Sequence, residues 1–328
     1  MSTVEGVLTR SRPDVVLAMS PPLPIGVAGW VVARTRRVPF VFNIQDVFPD
    51  VAVELGLLTG RRVIAAASAL ERFSYRRADA VTVLSDDLAD NVRHKLARGG
   101  RTEPGGAGDP AKVHVIPNFV DTERIRPADP DNGYRAEYGL EGKRVVMYAG
   151  NVGLSQSLDL VLDAARDLAG RPEVVFVING GGAARPDLQA RAAGLANVRF
   201  VDMQPRERLP EVLAAGDVHV VPLRAGLAKA SVPSKLYSIL AAGRPLVASV
   251  DEGTEVATTV AAAGAGIAVP PDDATAFTAA VQDLLDRPDE AAAMGARGRE
   301  WVLQWASPAA IAEAYEALFR SLVDGPRR

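Results

Sequence analysis

Short apolar runs alternate with helix-length amphipathic stretches along nearly the whole 328-residue chain. The runs that predict strands lie at residues 15–19, 40–43, 80–84, 113–116, 145–149, 174–179, 198–201, 218–221, 246–249 and 266–269. They are rich in Val and Ile and often apolar at consecutive positions, as suits parallel strands buried on both faces. Between them, residues 61–77, 158–168, 206–214 and 275–285 predict helices. This is an α/β doubly wound pattern, and it occurs twice. The Pro/Asp/Gly cluster RPADPDNG at 126–133 predicts the boundary, giving domains at 1–126 and 127–306. A last segment, 307–328, carries a helix over 308–322 that is expected to pack back toward the first domain. The first domain has four strand runs against six in the second, with only a helical stub over 1–12 ahead of them. It is therefore expected to be incomplete at its N-terminus. The segment 99–111, GGRTEPGGAGDPA, reads as a flexible surface loop without a function.

Composition narrows the chemistry. There is no cysteine, which excludes disulfides, Cys-based metal sites and Cys nucleophiles. His94, His114 and His219 have no ligand spacing, so no metal is expected. A net charge of −3 argues against a nucleic-acid partner. Residues 1–125 carry 16 Lys/Arg against 14 Asp/Glu, whereas the rest carry 21 against 26. Arg61, Arg62, Arg72, Arg76 and Arg77 share one predicted helix, with apolar residues between them. Such a helix either presents a solvated face or lies on an anionic membrane surface. No apolar run is long enough to span a bilayer and no signal peptide is visible, so the expected compartment is cytoplasmic, with the inner membrane face as the peripheral alternative.

The candidate chemistry sits where strands end. SVPSKLYSILAAGRPLVAS, 231–249, reads as a loop, a short helix opening at Pro233–Ser234, a turn and a strand. It would direct backbone N–H groups and the Lys235 cation at one spot, as a diphosphate requires. VVMYAGNVGLSQSL, 145–158, is a buried strand followed by Gly150-Asn151-Val152-Gly153 and a helix; Asn151, Ser155 and Gln156 are candidate phosphate donors. VVFVINGGG, 174–182, repeats the pattern with Gly181 at its centre, and lacks the full GxGxxG spacing of a nicotinamide dinucleotide site. Asp202 and Met203, and the Pro222–Arg224 loop, follow two further strands. All would open on one edge of a parallel sheet, where open α/β sheets bind ligands. In the first domain, Gln45 and Asp46 follow the strand of FVFNIQDVFPD, 40–50, where Asp46 is either a helix N-cap or a free carboxylate. Ser20 and Asn118 occupy comparable strand-end positions.

Together, FNIQDVFPD (42–50), ERFSYRRADAVTVLS (71–85), VIPNFVDTE (115–123), YAGNVGLSQSLD (148–159), VRFVDMQPRERLPEVLAAGDVHVVPL (198–223) and VPSKLYSILAAGRPLVAS (232–249) resemble glycosyltransferase family 4. The pattern is most similar to a branch resembling fucosamine transferases of surface-polysaccharide assembly. The resemblance implies the GT-B architecture of two Rossmann-like domains around a cleft. It also implies a retaining glycosyltransferase without a required cofactor or metal. The second domain would bind a nucleotide-diphosphate sugar, and the first a lipid-linked or polysaccharide acceptor. Gly150, Asn151, Gly153, Gln156, Gly181, Pro233, Ser234 and Lys235 would hold the diphosphate and sugar, with Asp202 and Met203 near the base. Gln45, Asp46 and Lys235 are the expected catalytic groups, with Ser20 and Asn118 on the acceptor side.

Three departures bear on activity. Asn151 and Gln156 stand where many members place an Arg and a Lys, and Gln45 where many place a His. Ser238 stands where the family usually has a Glu for the ribose hydroxyls. Losing one charge-assisted hydrogen bond there would cost roughly 1.5–3 kcal/mol of donor affinity. The competing readings are a nucleotide-sugar-binding protein without turnover and a nucleotide-sugar 2-epimerase of the same fold.

Overall fold

The computed structural model describes residues 12–54, 56, 58–97, 106–226 and 235–325. Among these, ten parallel strands form two sheets. The first holds β1 (Val16–Ser20), β2 (Phe40–Ile44), β3 (Ala80–Val83) and β4 (Val113–Val115), in that spatial order. The second holds β5 (Arg144–Ala149), β6 (Val174–Asn179), β7 (Val198–Val201), β8 (Val218–Pro222), β9 (Leu246–Ser249) and β10 (Gly266–Val269), ordered β10-β9-β8-β5-β6-β7. Every strand run read from the sequence is present, within one or two residues at its ends. The described residues up to Asn118 and from Ala309 form one compact unit, and those from Phe119 to Pro308 form the other. This division falls ahead of the Pro/Asp/Gly cluster because residues 119–126 are tied into the second unit. Val120 N–H donates to the Ala306 carbonyl at 3.0 Å. Arg299 donates to the Thr122 and Ile125 carbonyls at 2.9 and 2.8 Å.

The apolar continuity of the strands has the expected cause. All residues of β2, β6 and β8 are buried, because helices cover both faces of each sheet. Edge strands differ: β1 exposes Leu17 and Met19, and β7 exposes Arg199. In the second unit, Tyr148, Phe176 and Ile178 meet Leu160, Val161 and Phe277 in one core. The 206–214 helix is divided, with a 3-10 turn at Arg206–Arg208 and an α-helix at Leu209–Ala215. Pro210 explains the restart, since its missing N–H and fixed φ suit a first helical turn. The last helix, Pro308–Asp324, puts Ile311 and Leu318 against Val41, Ala80 and Ile116 of the first unit. The sequence-predicted stub at 1–12 and the glycine-rich part of the 99–111 loop lie almost wholly outside the described residues.

The second sheet contains a point where strand order reverses. From β5 the chain builds β6 and β7 on one side, then crosses to β8, β9 and β10 on the other. β5 pairs with β6 along its length and with β8 through Val146↔Val218 and Met147↔His219. The crevice beyond the carboxyl ends of β5 and β8 is thus the switch point at which doubly wound sheets bind ligands. The four described strands of the first sheet run in one direction without such a reversal.

Candidate active site

The turns after β5 and β6 approach each other backbone to backbone. A Cβ on Gly180 would lie 1.8 Å from the Gly150 carbonyl oxygen, and one on Gly182 would lie 2.3 Å from that of Val152. Val152 N–H also donates to the Gly181 carbonyl at 2.8 Å. Two of the three glycines in INGGG therefore serve turn packing. Gly181 alone faces open space, since a Cβ there would meet nothing within 4 Å.

Gly150 lies beside a cation. A Cβ there would stand 3.5 Å from both Cε and Nζ of Lys235. Lys235 Nζ donates to the Tyr148 hydroxyl at 2.7 Å and lies 4.1 Å from the centre of its ring. The Tyr148 hydroxyl in turn donates to the Asn151 carbonyl. Burial pushes the Lys235 ammonium down to about 7, and burial is the sole cause of that shift. Pro233 and Ser234, expected at the start of this helix, lie outside the described residues; the described helix is Lys235–Ala241. Along it Leu236, Tyr237, Ile239, Leu240 and Ala241 are buried, whereas Lys235 and Ser238 are partly exposed. The three-residue spacing places those two on one face.

Gly153 and Gln156, both candidate phosphate contacts, bond each other. Gly153 N–H donates to Gln156 Oε1 at 2.9 Å, and Gln156 Nε2 donates to Ser155 Oγ at 2.8 Å. The Gln156 amide therefore folds back to close its own turn and occupies the Gly153 N–H expected to face phosphate. A main-chain N–H with no main-chain acceptor takes whatever polar side chain reaches it, here the Gln156 amide. Arg224 braces the same turn, with its N–H on the Ser155 carbonyl at 3.1 Å and Nε on that of Leu154 at 2.9 Å. Asp272 accepts from Ser157 Oγ and from Ala225 N–H.

Farther along the edge, Asp202 pairs with Arg185 at 2.6 Å, and Arg185 also donates to the Gly180 carbonyl at 2.7 Å. Met203 beside it is 56% exposed. With neighbouring strands about 4.8 Å apart, the ends of β5 and β7 are separated by roughly 10 Å, the scale of a nucleotide.

The first unit is organised differently. Asn118 Nδ2 donates to Gln45 Oε1 at 2.7 Å, and Gln45 Nε2 donates to Asn43 Oδ1 at 2.6 Å. Asn43 Nδ2 then donates to Thr82 Oγ1 at 2.9 Å and to the Tyr315 hydroxyl at 2.8 Å. Ser20 is buried at the end of β1, and its carbonyl accepts the Gln45 N–H at 3.0 Å. Asp46 is half-buried and is not a helix N-cap, since the next helix, Asp50–Glu54, begins four residues later. That helix is anchored where Lys95 bridges Asp50 at 2.9 Å and the buried Glu71 at 2.7 Å. Burial holds the Glu71 carboxyl above its usual range despite Lys95.

Sequence reasoning missed Tyr148, Asn43, Tyr315 and Arg185. Two of them had a signal. Asn43 interrupts an apolar strand, and Tyr148 carries a hydroxyl inside another; buried polar groups of this kind require partners.

Comparison with known proteins identifies the family and the fold. Residues 1–118 match a glycosyl transferase 4-like domain, and residues 143–287 match the glycosyl transferases group 1 family. The chain is 30% identical over 284 residues to the putative colanic acid biosynthesis glycosyl transferase WcaI of Escherichia coli, covering 84% of this chain and 67% of that protein. It is 32% identical over 307 residues to the GDP-mannose-dependent alpha-(1-6)-phosphatidylinositol monomannoside mannosyltransferase of Mycolicibacterium smegmatis, covering 84% and 77%. Among solved structures, Anabaena Alr3699/HepE in complex with UDP-glucose superposes with a TM-score of 0.74 at 17% identity, covering 98% of this chain and 82% of that one. The sucrose-phosphate synthase of Thermosynechococcus elongatus gives 0.73 at 21%, covering 95% and 74%. The fold is GT-B, and the chain belongs to the group 1 glycosyltransferases, with a glycosyltransferase 4-like first domain.

Proposed function

We propose that the chain moves a sugar from a nucleotide-diphosphate sugar to a lipid-linked or polysaccharide acceptor, with retention of the anomeric configuration. The observation that carries this reading is the Lys235 ammonium, set over Gly150 at the switch point of the second sheet. No carboxylate pairs with it among the described residues. As the glycosidic bond breaks, the leaving nucleoside diphosphate gathers negative charge, and a fixed cation aimed at it lowers the barrier.

Around Lys235, we assign Gly150, Asn151, Pro233 and Ser234 to the diphosphate. Gly153 and Gln156 act by shaping the turn, since they bond each other. Gly181, with open space above it, leaves room for the sugar, and Asp202 and Met203 flank the base. Ser238 shares a helix face with Lys235 and takes one ribose hydroxyl. On the acceptor side, Gln45 offers the one amide N–H not given to Asn43, Asp46 supplies a carboxylate, and Asn118 and the Ser20 carbonyl fix Gln45 in place. The assignment gives the unit up to Asn118 and from Ala309 to the acceptor, and the unit from Phe119 to Pro308, with residues 119–126 in it, to the donor. Asn151 and Gln156 in place of Arg and Lys support a position near the fucosamine-transferase-like branch.

A lipid-linked acceptor gains support from the relative named for a phosphatidylinositol monomannoside. Peripheral contact with the inner membrane face would use the start of the Arg61–Arg77 helix, where Arg61, Arg62 and Val63 are exposed. Arg77 contributes less, because its guanidinium lies over the rings of Trp30 and Phe73. No described helix is long and apolar enough to cross a membrane.

One observation favours a second reading, a donor binder without turnover: Ser238 presents a neutral hydroxyl where a carboxylate would grip the ribose. Labelled UDP- and GDP-sugars, incubated with and without a lipid-linked acceptor, separate the two. Transfer with release of nucleoside diphosphate is expected. Donor binding without either selects the second reading, and a changed sugar without acceptor marks an epimerase.

A further inference from the structure

We propose that Tyr148 is a positioning residue that holds the Lys235 ammonium over the Gly150–Asn151 turn through its hydroxyl and its ring together. The inference rests on the diphosphate reading for its purpose, though not for its geometry. One side chain meets the same Nζ twice, by a 2.7 Å hydrogen bond and by a ring face 4.1 Å away. The hydroxyl proton is committed to the Asn151 carbonyl, so the oxygen turns a lone pair toward Lys235. This orientation couples the cation to the turn, because Asn151 cannot move without releasing the hydroxyl. Gly150 flanks the ammonium, since a Cβ there would stand in ordinary contact, at 3.5 Å, with both Cε and Nζ.

The arrangement substitutes weak partners for a counter-ion. A π face and a neutral oxygen attract an ammonium, yet leave its charge unneutralised. An aspartate or glutamate at the same distance would hold Lys235 more tightly and would compete with an incoming anion. Tyr148 thus fixes the position of the charge without satisfying it. Burial keeps the Tyr148 hydroxyl protonated well above the range in which Lys235 titrates.

The test follows the lysine itself. The chain has five lysines, so a protein labelled with 13C at lysine Cε gives few signals, and Lys235→Ala identifies the one of interest. In the wild type that signal is expected to titrate near 7. In Tyr148→Phe the ring remains and the acceptor is lost, so the midpoint is expected to fall by about one unit. Tyr148→Leu, which removes both contacts, is expected to shift it further. An unchanged midpoint in Tyr148→Phe overturns the proposal. Should that variant lose its fold, the nuclear Overhauser contact between the Tyr148 ring and Lys235 Cε in the wild type decides, and its absence is the adverse result. Inorganic pyrophosphate, added to the wild type, is expected to raise the midpoint. If Tyr148→Phe moves the signal and pyrophosphate does not, the positioning role stands and the diphosphate reading falls.

Discussion

At the carboxyl end of the second sheet, the turns after β5 and β6 touch main chain to main chain, with glycines where any Cβ would collide. At the carboxyl end of the first sheet, the turns are tied by side chains, in a run of amides and hydroxyls from Asn118 to Tyr315. The first arrangement leaves main chain and one cation for a ligand whose charge is its common feature. The second offers, among the described residues, the rigidly oriented Gln45 amide N–H beside the half-buried Asp46, a pair suited to a hydroxyl-bearing partner. On the proposed assignment, the main-chain edge meets the diphosphate that nucleotide-sugar donors share, and the amide edge meets an acceptor whose shape must be read.

The contrast is broken most severely at Gly180. Gly180→Ala drives a methyl into the Gly150 carbonyl, and the two turns must part. The expected loss is about 2–4 kcal/mol of stability, seen as a lower midpoint in urea, together with loss of nucleotide binding. Gly181→Ala beside it, with open space, is expected to be tolerated in stability. Equal damage from both would show that the turn packing is not what selects glycine.

The second unit also carries a site of acid sensitivity. His219 on β8 is fully buried, bonds the Leu213 carbonyl through Nε2, and is pushed down to about 4 by burial. Its folded value lies below the unfolded one, so the unfolded chain takes up the proton first. Stability is therefore complete above about pH 6.5 and declines as pH falls toward 4, by roughly 3 kcal/mol. Urea unfolding of wild type and His219→Gln across that range checks this; the variant is expected to flatten the profile.

Changes in the amide run are expected to be smaller and different in kind. Asn43→Ala leaves Gln45, Thr82 and Tyr315 without their shared partner, at a cost of about 2 kcal/mol. It is expected to lower transfer rates while leaving nucleoside diphosphate affinity unchanged. Tyr315→Phe removes one acceptor at the end of the run, for about 1 kcal/mol and a slighter loss of transfer. If either variant weakened diphosphate binding as much as transfer, the division of labour would not hold.

The strands and their division between two domains were legible in the sequence because parallel strands buried on both faces announce themselves as apolar runs. Lys235 and Gly150 were legible as candidates because their residue types fit an anion site, and Ser238 only through the family resemblance, as a departure from its usual Glu. Their mutual placement was not, since it depends on β8 crossing beside β5, a pairing between residues some 70 positions apart. The Gln156 turn and the Gly180–Gly150 contact were hidden for a related reason. A glycine that admits a ligand and one that admits another turn look identical along the chain. Asn43 and Tyr148 could have been found, as polar groups within apolar strands, but their partners Tyr315 and Lys235 arrive from distant helices.

The central claim is that Lys235 is an anion-seeking cation at the switch point of the second sheet. Calorimetric titration of UDP and GDP into wild type and Lys235→Ala tests it most directly, with thermal unfolding as the control for fold. At about pH 6.5 the variant is expected to bind at least about tenfold more weakly with an unchanged melting temperature. The wild-type affinity is expected to fall as pH rises above about 7, where the free ammonium loses its proton, and the variant is expected to lack that dependence. Equal affinities for wild type and variant, with the same pH profile, would contradict the assignment.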